Sequence, residues 1–358
     1  MERKIINSIT MASVVLTILC GVVLYLCPNL HTSAMEQQVA MTNGVSMGES
    51  VLGLIRANTE MTQQSPLEAE EHPVMHHLRM QIPDNVNIQH ISFINNYLYN
   101  TILIKVPGLG NTYFYDYPMI GSCNHIVDMT YGSANNVGLI EITLDNVYEL
   151  TYTYDDKYMY IDFVNPRDVY DYIVVVDAGH GGIDVGCSHS GVLEKQLTLS
   201  IVQKMKEYFD QDNHRIGVYY TRLDDSDMAL AQRVGLANQL EADLFLSVHI
   251  NSTASGRTSS IHGTEVMYRV SDTTGQSKAF AQNCLQALLD GIGSKSRGVV
   301  AGDEIKIVRT AEMPVALVEV GYITNKEELQ LMQTEEYQDR AAEALYHAVV
   351  QTLTEKEE

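Results

Sequence analysis

Past Pro166 the hydrophobic periodicity of this 358-residue chain switches, and no other feature narrows its fold as much. Residues 173–176 form an unbroken β-branched run, after which Leu197, Ile201, Met205 and Tyr208 recur on one helical face. Strand patterns follow at 217–220, 243–248, 265–268 and 314–320, and helical patterns at 228–240, 279–292 and 336–353. Strands apolar throughout, alternating with helices, predict an α/β domain over residues 170–355, its mostly parallel sheet covered by helices on both faces. Ligands of such sheets bind beyond the carboxyl ends of the strands. The residues that fall there carry the functional reading.

Four of them are reactive. Asp177-Ala-Gly-His180-Gly-Gly follows the first strand, Glu194 opens the first helix, Ser247-Val-His249-Ile-Asn251 closes the third strand, and Glu319 interrupts the run 315–320. Each has a plainer explanation when taken alone. Glycines around His180 serve a tight turn, His249 suits a satisfied core histidine, and Glu194 suits the positive end of a helix. Glu319 resists such an account, because a carboxylate within an apolar strand is costly unless it is paired or near a metal. A dinucleotide loop is excluded, since Gly179-x-Gly181 meets Asp184 where the third glycine is required. Two imidazoles and a carboxylate make a three-ligand zinc site with its fourth position open to water, although other divalent ions suit the same donors. A further carboxylate with a raised pKa suits proton transfer from that water to a leaving amine. Metal-assisted amide hydrolysis follows, and the absence of HExxH separates the chain from thermolysin-type enzymes.

At these residues the sequence resembles the zinc-dependent N-acetylmuramoyl-L-alanine amidases of the Amidase_3 type, over about 172–352. The segments that carry the resemblance are Val176-Asp-Ala-Gly-His-Gly-Gly, Glu194-Lys, Thr221-Arg-Leu-Asp-Asp, Arg233 with Ala237-Asn, Ala242-Asp-Leu-Phe-Leu-Ser-Val-His-Ile-Asn and Pro314-Val-Ala-Leu-Val-Glu-Val-Gly-Tyr-Ile-Thr-Asn. It implies that His180, Glu194 and His249 hold zinc, that Glu319 is the catalytic glutamate, and that the substrate is peptidoglycan, cut between N-acetylmuramic acid and L-alanine. Asn251 is then a substrate contact, and Asp177, Arg222, Arg233 and Asn238 shape the site. Ala178 stands where the family often has proline, and Cys187 lies between the first two ligands, but neither change removes a ligand. Some relatives insert an inhibitory helix after the second histidine; here Asn251 reaches Gly263 through a short Ser/Thr-rich loop with little room for one. Two other readings compete: a catalytically inactive, membrane-anchored wall-binding protein, and a zinc carboxypeptidase. The complete residue set argues against the first, and the motif order against the second.

The N-terminal half sets the compartment. Residues 5–27 are almost wholly apolar and long enough to span a bilayer. Arg3 and Lys4 precede them and no basic residue follows until Arg56, which places the N-terminus inside and the remainder outside the cytoplasm. A cleaved signal peptide ending near Thr32-Ser-Ala is the rival, disfavoured by the length of the apolar core; a lipoprotein is excluded by Leu19 and Leu26 ahead of Cys20 and Cys27. Residues 28–84 read as a polar linker, in which His72 and His76 have helical metal spacing but Pro73 between them and no third ligand. From 85 to 166, short alternating runs predict a small all-β domain, a sandwich, which resembles AMIN-type domains in position and strand pattern. Its many tyrosines, from Tyr97 to Tyr160, fit half-buried strand faces or, alternatively, a sugar-stacking surface. The formal net charge of -22 excludes a nucleic-acid surface. Beyond the apolar stretch, Cys123, Cys187 and Cys284 make neither a disulfide framework nor a zinc site, though one long-range disulfide stays open.

Overall fold

The computed structural model describes residues 76–355, apart from Asn85, Asn111, Asn213 and His214. The apolar stretch 5–27, His72 and residues 28–75 of the linker lie outside them. Among the described residues, no helix is long and apolar enough to cross a membrane.

The N-terminal part is built from β1 (Leu78–Gln81), β2 (Ser92–Asn96), β3 (Thr101–Pro107), β4 (Ile120–Gly121), β5 (Ile126–Ala134), β6 (Val137–Leu144), β7 (Glu149–Tyr154) and β8 (Tyr158–Val164). They form two antiparallel sheets, ordered β4-β1-β8-β7 and β2-β3-β6-β5. Strict alternation explains the arrangement. Ile102, Ile104, Ile140, Ile142, Met159 and Ile161 share one core while their neighbours along each strand are half-exposed or, at Glu141, exposed. Leu78–Gln81, which the sequence places in the linker, belongs here, because Leu78 and Met80 alternate into that core as β1 pairs with β8. His76 is likewise held, its Nδ1 lying 2.7 Å from Asp162 Oδ2.

The C-terminal part is a six-stranded sheet in the order β12-β9-β13-β16-β14-β15. Its strands are β9 (Tyr172–Ala178), β12 (Ile216–Tyr220), β13 (Leu244–Asn251), β14 (Thr264–Tyr268), β15 (Ser296–Ala301) and β16 (Val315–Tyr322), with a small hairpin of β10 (Ser188–His189) and β11 (Val192–Leu193) beside it. The main helices are α1 (Glu194–Asp210), α2 (Leu230–Gln239), α3 (Gln276–Ile292) and α4 (Glu335–Thr354). Even-numbered residues such as Val174, Leu246 and Val318 pack with α1, α3 and α4. Odd-numbered ones such as Ile173, Phe245 and Leu317 pack with α2 and the short helix Lys306–Thr310. Continuous apolar strands therefore serve two faces, as the sequence pattern requires. Four of the five pairings in this sheet are parallel, and β14 against β16 is antiparallel. The physical reason is the connection before β14: a parallel return needs a crossover element, and residues 252–263 contain no helix.

The two parts share an apolar cluster in which Tyr97, Leu98 and Val147 of the first meet Ile173, Val175 and Tyr219 of the second. At its centre the buried Glu149 carboxylate accepts hydrogen bonds from Tyr219 Oη and, at 3.3 Å, from Tyr97 Oη. Burial pushes the Glu149 carboxyl up, although both tyrosine hydrogen bonds act the other way. The folded protein therefore binds this proton more tightly than the unfolded chain does. The group's contribution to stability is full below the ordinary carboxylate value and declines as pH rises through the raised one. Denaturant unfolding at a series of pH values should show this decline in the wild type and a flatter profile in Glu149→Gln; identical profiles would contradict the assignment.

Candidate metal centre

Three strand ends and one helix start converge at the carboxyl edge of the sheet. β9 leads into His180, β13 carries His249, β16 carries Glu319, and α1 opens with Glu194. His249 and Glu319 are direct neighbours in the parallel register. One donor atom each from His180, Glu194 and His249 lies within 4.8 Å of the others. Glu194 Oε1 stands 3.2 Å from His180 Nε2 and 3.0 Å from His249 Nδ1. The remaining nitrogen of His180 is 2.9 Å from Asp184 Oδ2, the carboxylate support that metal-ligating imidazoles commonly use. Glu194 is itself held by backbone donors: Ile250 N at 3.0 Å to Oε1 and Cys187 N at 2.8 Å to Oε2. Two glycines leave the room this needs. A Cβ on Gly179 would stand 2.5 Å from the His249 ring, and one on Gly186 would stand 2.5 Å from Glu194 Oε2.

The charges are arranged to match. Burial opposes ionisation of Glu194, yet hydrogen bonds and charge from His180 and His249 outweigh it and hold the carboxyl well below the usual range. Burial likewise disfavours protonated His180, but Glu194 and Asp184 push its value up to about 9. Burial pushes Glu319 up to about 7, with the His249 charge opposing and the Glu194 and Glu265 charges reinforcing. Glu319 Oε2 is buried without a hydrogen-bond partner among the described residues. Two imidazoles, one ionised carboxylate and a nearby unpartnered oxygen fit a single divalent ion with a reactive position beside it.

The profile of the N-acetylmuramoyl-L-alanine amidase family matches residues 174–351, a span that contains all four residues. Over 199 residues the chain is 30% identical to the germination-specific N-acetylmuramoyl-L-alanine amidase of Bacillus subtilis (strain 168), covering 81% of that protein and 51% of this chain. The chain belongs to the N-acetylmuramoyl-L-alanine amidase family. The amidase domain is also 33% identical over 184 residues to an endolysin of Bacillus phage SPP1, covering 67% of that protein and 51% of this chain. A solved N-acetylmuramoyl-L-alanine amidase from Clostridium difficile 630 is 33% identical, with a TM-score of 0.48, covering 97% of that chain and 51% of this one.

Other residues of the amidase motifs form the floor of the site. Asp177, without solvent contact, pairs with Arg233 Nη1 at 2.7 Å and accepts from Thr221 and Ser247 hydroxyls at 2.6 Å each. Arg233 also donates to the carbonyls of Ala178 and His180, and Arg222 to those of Ala178 and Gly179. These bonds hold His180 at φ 62, a strained conformation for a residue with a side chain. Asn251, at the end of β13, is half-buried and its Oδ1 accepts from Ser252 N at 2.7 Å. Asn238 does not shape the site. It bonds Thr310 O and Glu312 N ahead of β16, at the opposite edge of the sheet, because α2 runs back toward the strand starts. Cys123, Cys187 and Cys284 are free. Burial and the Glu194 charge push the Cys187 thiol up, so it stays protonated and donates to Ile250 O at 3.0 Å. Sequence reasoning passed over Asp184, whose signal was its position four residues after His180, and Glu265, which faces Glu319 only through the antiparallel pairing of β14.

Burial would raise the Asp177 carboxyl, but the Arg233 charge and the two hydroxyl bonds overcome it and hold the group low. Its contribution is thus present above the unfolded carboxylate value and lost as pH falls through the depressed one. Asp177→Asn leaves Arg233 buried and unpaired, and should cost about 3–5 kcal/mol in urea unfolding. It should also flatten the acid side of the stability profile; a loss within error of zero would remove the pair from this role.

Proposed function

We propose that this amidase hydrolyses the amide bond between N-acetylmuramic acid and the L-alanine of the peptidoglycan stem peptide, with one zinc ion held by His180, Glu194 and His249. The observation that carries the proposal is the convergence of those three donors beside an unpartnered Glu319. Bound there, zinc supplies a Lewis acid for the scissile carbonyl and lowers the pKa of water to about 7. Glu319 Oε2 takes the proton of the attacking water and passes it to the departing alanine nitrogen. Burial, which places the Glu319 value at about 7, lets this carboxyl gain and lose a proton near neutrality. Asp184 keeps the His180 ring oriented with Nε2 toward Glu194. Asn251, two residues along β13 from His249, contacts the substrate. Residues 5–27 anchor the chain, leaving the amidase on the outer side of the membrane, where its substrate lies.

Glu319→Gln should lower turnover roughly 10²–10⁴-fold while zinc content, measured by mass spectrometry, stays at one per chain. Purified peptidoglycan incubated with the wild type should release stem peptides with an alanine amino terminus, and chelation should stop the release. Glycan strands cut elsewhere, or a wild type that binds the wall and releases nothing, would overturn the proposal.

A further inference from the structure

Beyond the four residues of the centre, the same face carries an exposed cation, Arg297, with no ion-pair partner among the described residues. β15 pairs with β14 in parallel, Ser296 opposite Thr264 and Gly298 opposite Glu265, so Arg297 is an extra residue in its strand. Bulges are rare between parallel strands, and they re-aim the side chain they carry. Gly298, at φ 89, supplies the left-handed backbone of this one. The stem of Arg297 passes over Gly263, where an added Cβ would stand 3.1 Å from its Cγ. Its guanidinium carbon comes to 5.0 Å from the centre of the Tyr322 ring, within cation–π range.

Tyr322 arrives on this face through a second irregularity. β16 takes three steps from Glu319 to Tyr322 where β13 takes two from His249 to Asn251, so the alternation slips and Tyr322 stands opposite Asn251. Buried Glu328 fixes both supports, accepting from Gly263 N at 2.9 Å and from Tyr322 N at 2.8 Å. The surroundings are otherwise acidic. Glu265 lies opposite Glu319 in the register, and the charges of Arg297, Glu265 and Glu319 all act on the Tyr322 hydroxyl. Other cations near the centre are engaged: Arg222 and Arg233 with backbone carbonyls, Lys195 with Asp225 at 2.6 Å. A stem peptide with carboxylates beyond its first alanine brings negative charge toward Glu265, and Arg297 lies on this face to receive it.

We propose that Arg297, braced on Tyr322, binds a carboxylate of the stem peptide and makes the site selective for acidic over amidated peptides. A guanidinium presents paired donors to a carboxylate, and a stacked, bulge-held one is pre-organised to do so. The inference rests on the hydrolysis proposed above, so its test reads binding rather than turnover.

The probe is N-acetylmuramoyl-L-alanyl-D-glutamate, with both glutamate carboxyls free or both amidated, titrated by calorimetry into full-length, zinc-loaded Glu319→Gln protein. Adding Arg297→Ala should weaken the diacid roughly tenfold or more and leave the diamide unchanged. Arg297→Lys should recover part of the loss, since it keeps the charge and not the fork. Equal affinities with and without Arg297, equal losses for both ligands, or no binding of the diacid by Glu319→Gln would each overturn the proposal. Wild-type cleavage of the same diacid runs as a separate control. Its failure would sink the hydrolysis while the binding comparison still judged Arg297.

Discussion

A carboxylate and a guanidinium, Asp177 and Arg233, lie together under the site at 2.7 Å with almost no solvent contact. Removing two charges from water costs several kcal/mol each, and only near-complete hydrogen bonding offsets that. Here the offset is made by the architecture around the pair. Asp177 accepts from Thr221 at the end of β12 and Ser247 on β13, and Arg233 reaches from α2 to Met228, Ala178 and His180 carbonyls. The pair therefore joins β9 to its two neighbouring strands, a helix and the loop of the first histidine. A loop that places His180 at positive φ would relax without such bonds. The placement of His180 is in this sense a consequence of an ion pair that bonds its backbone carbonyl rather than its ring.

Above that floor, one small volume holds carboxyl groups driven in opposite directions. Glu194 is surrounded by imidazoles and backbone N–H groups and stays ionised. Glu319 has a buried oxygen without a partner and Glu265 opposite it, and its value rises to about 7. Environments that separate two carboxyls in this way separate their tasks: one suits a permanent ligand and the other a proton carrier. The sheet contributes to the separation by burying Glu319 and setting Glu265 opposite it, against the opposing charge of the neighbouring His249.

Much of this was legible in the sequence because the relevant signals are local. Strand and helix periods show through apolar residues that serve both faces of a sheet, and His180, Glu194, His249 and Glu319 each fall at the end of such a pattern or interrupt it. What stayed hidden depends on pairing. Ser296 and Arg297 at the start of β15 are exposed and Gly298 follows them, so the strand offers no apolar period and Arg297 is hidden with it. The reversed direction of β14, which sets Glu265 against Glu319, follows from a helix-free connection rather than from any residue pattern. β1 reads as linker in the sequence because it offers only two apolar positions, Leu78 and Met80. Asn238 matched a family segment, but its side chain serves the far edge of the sheet, a distinction that only the course of α2 makes.

The claim on which the account turns is that His180, Glu194 and His249 act together on one zinc ion. Anomalous diffraction at the zinc edge, from crystals of the zinc-loaded protein, addresses it directly. A single strong peak is expected in contact with both imidazoles and the Glu194 carboxylate, lost in crystals of His249→Ala. A peak elsewhere on the protein, or one that persists undisplaced in His249→Ala, would contradict it.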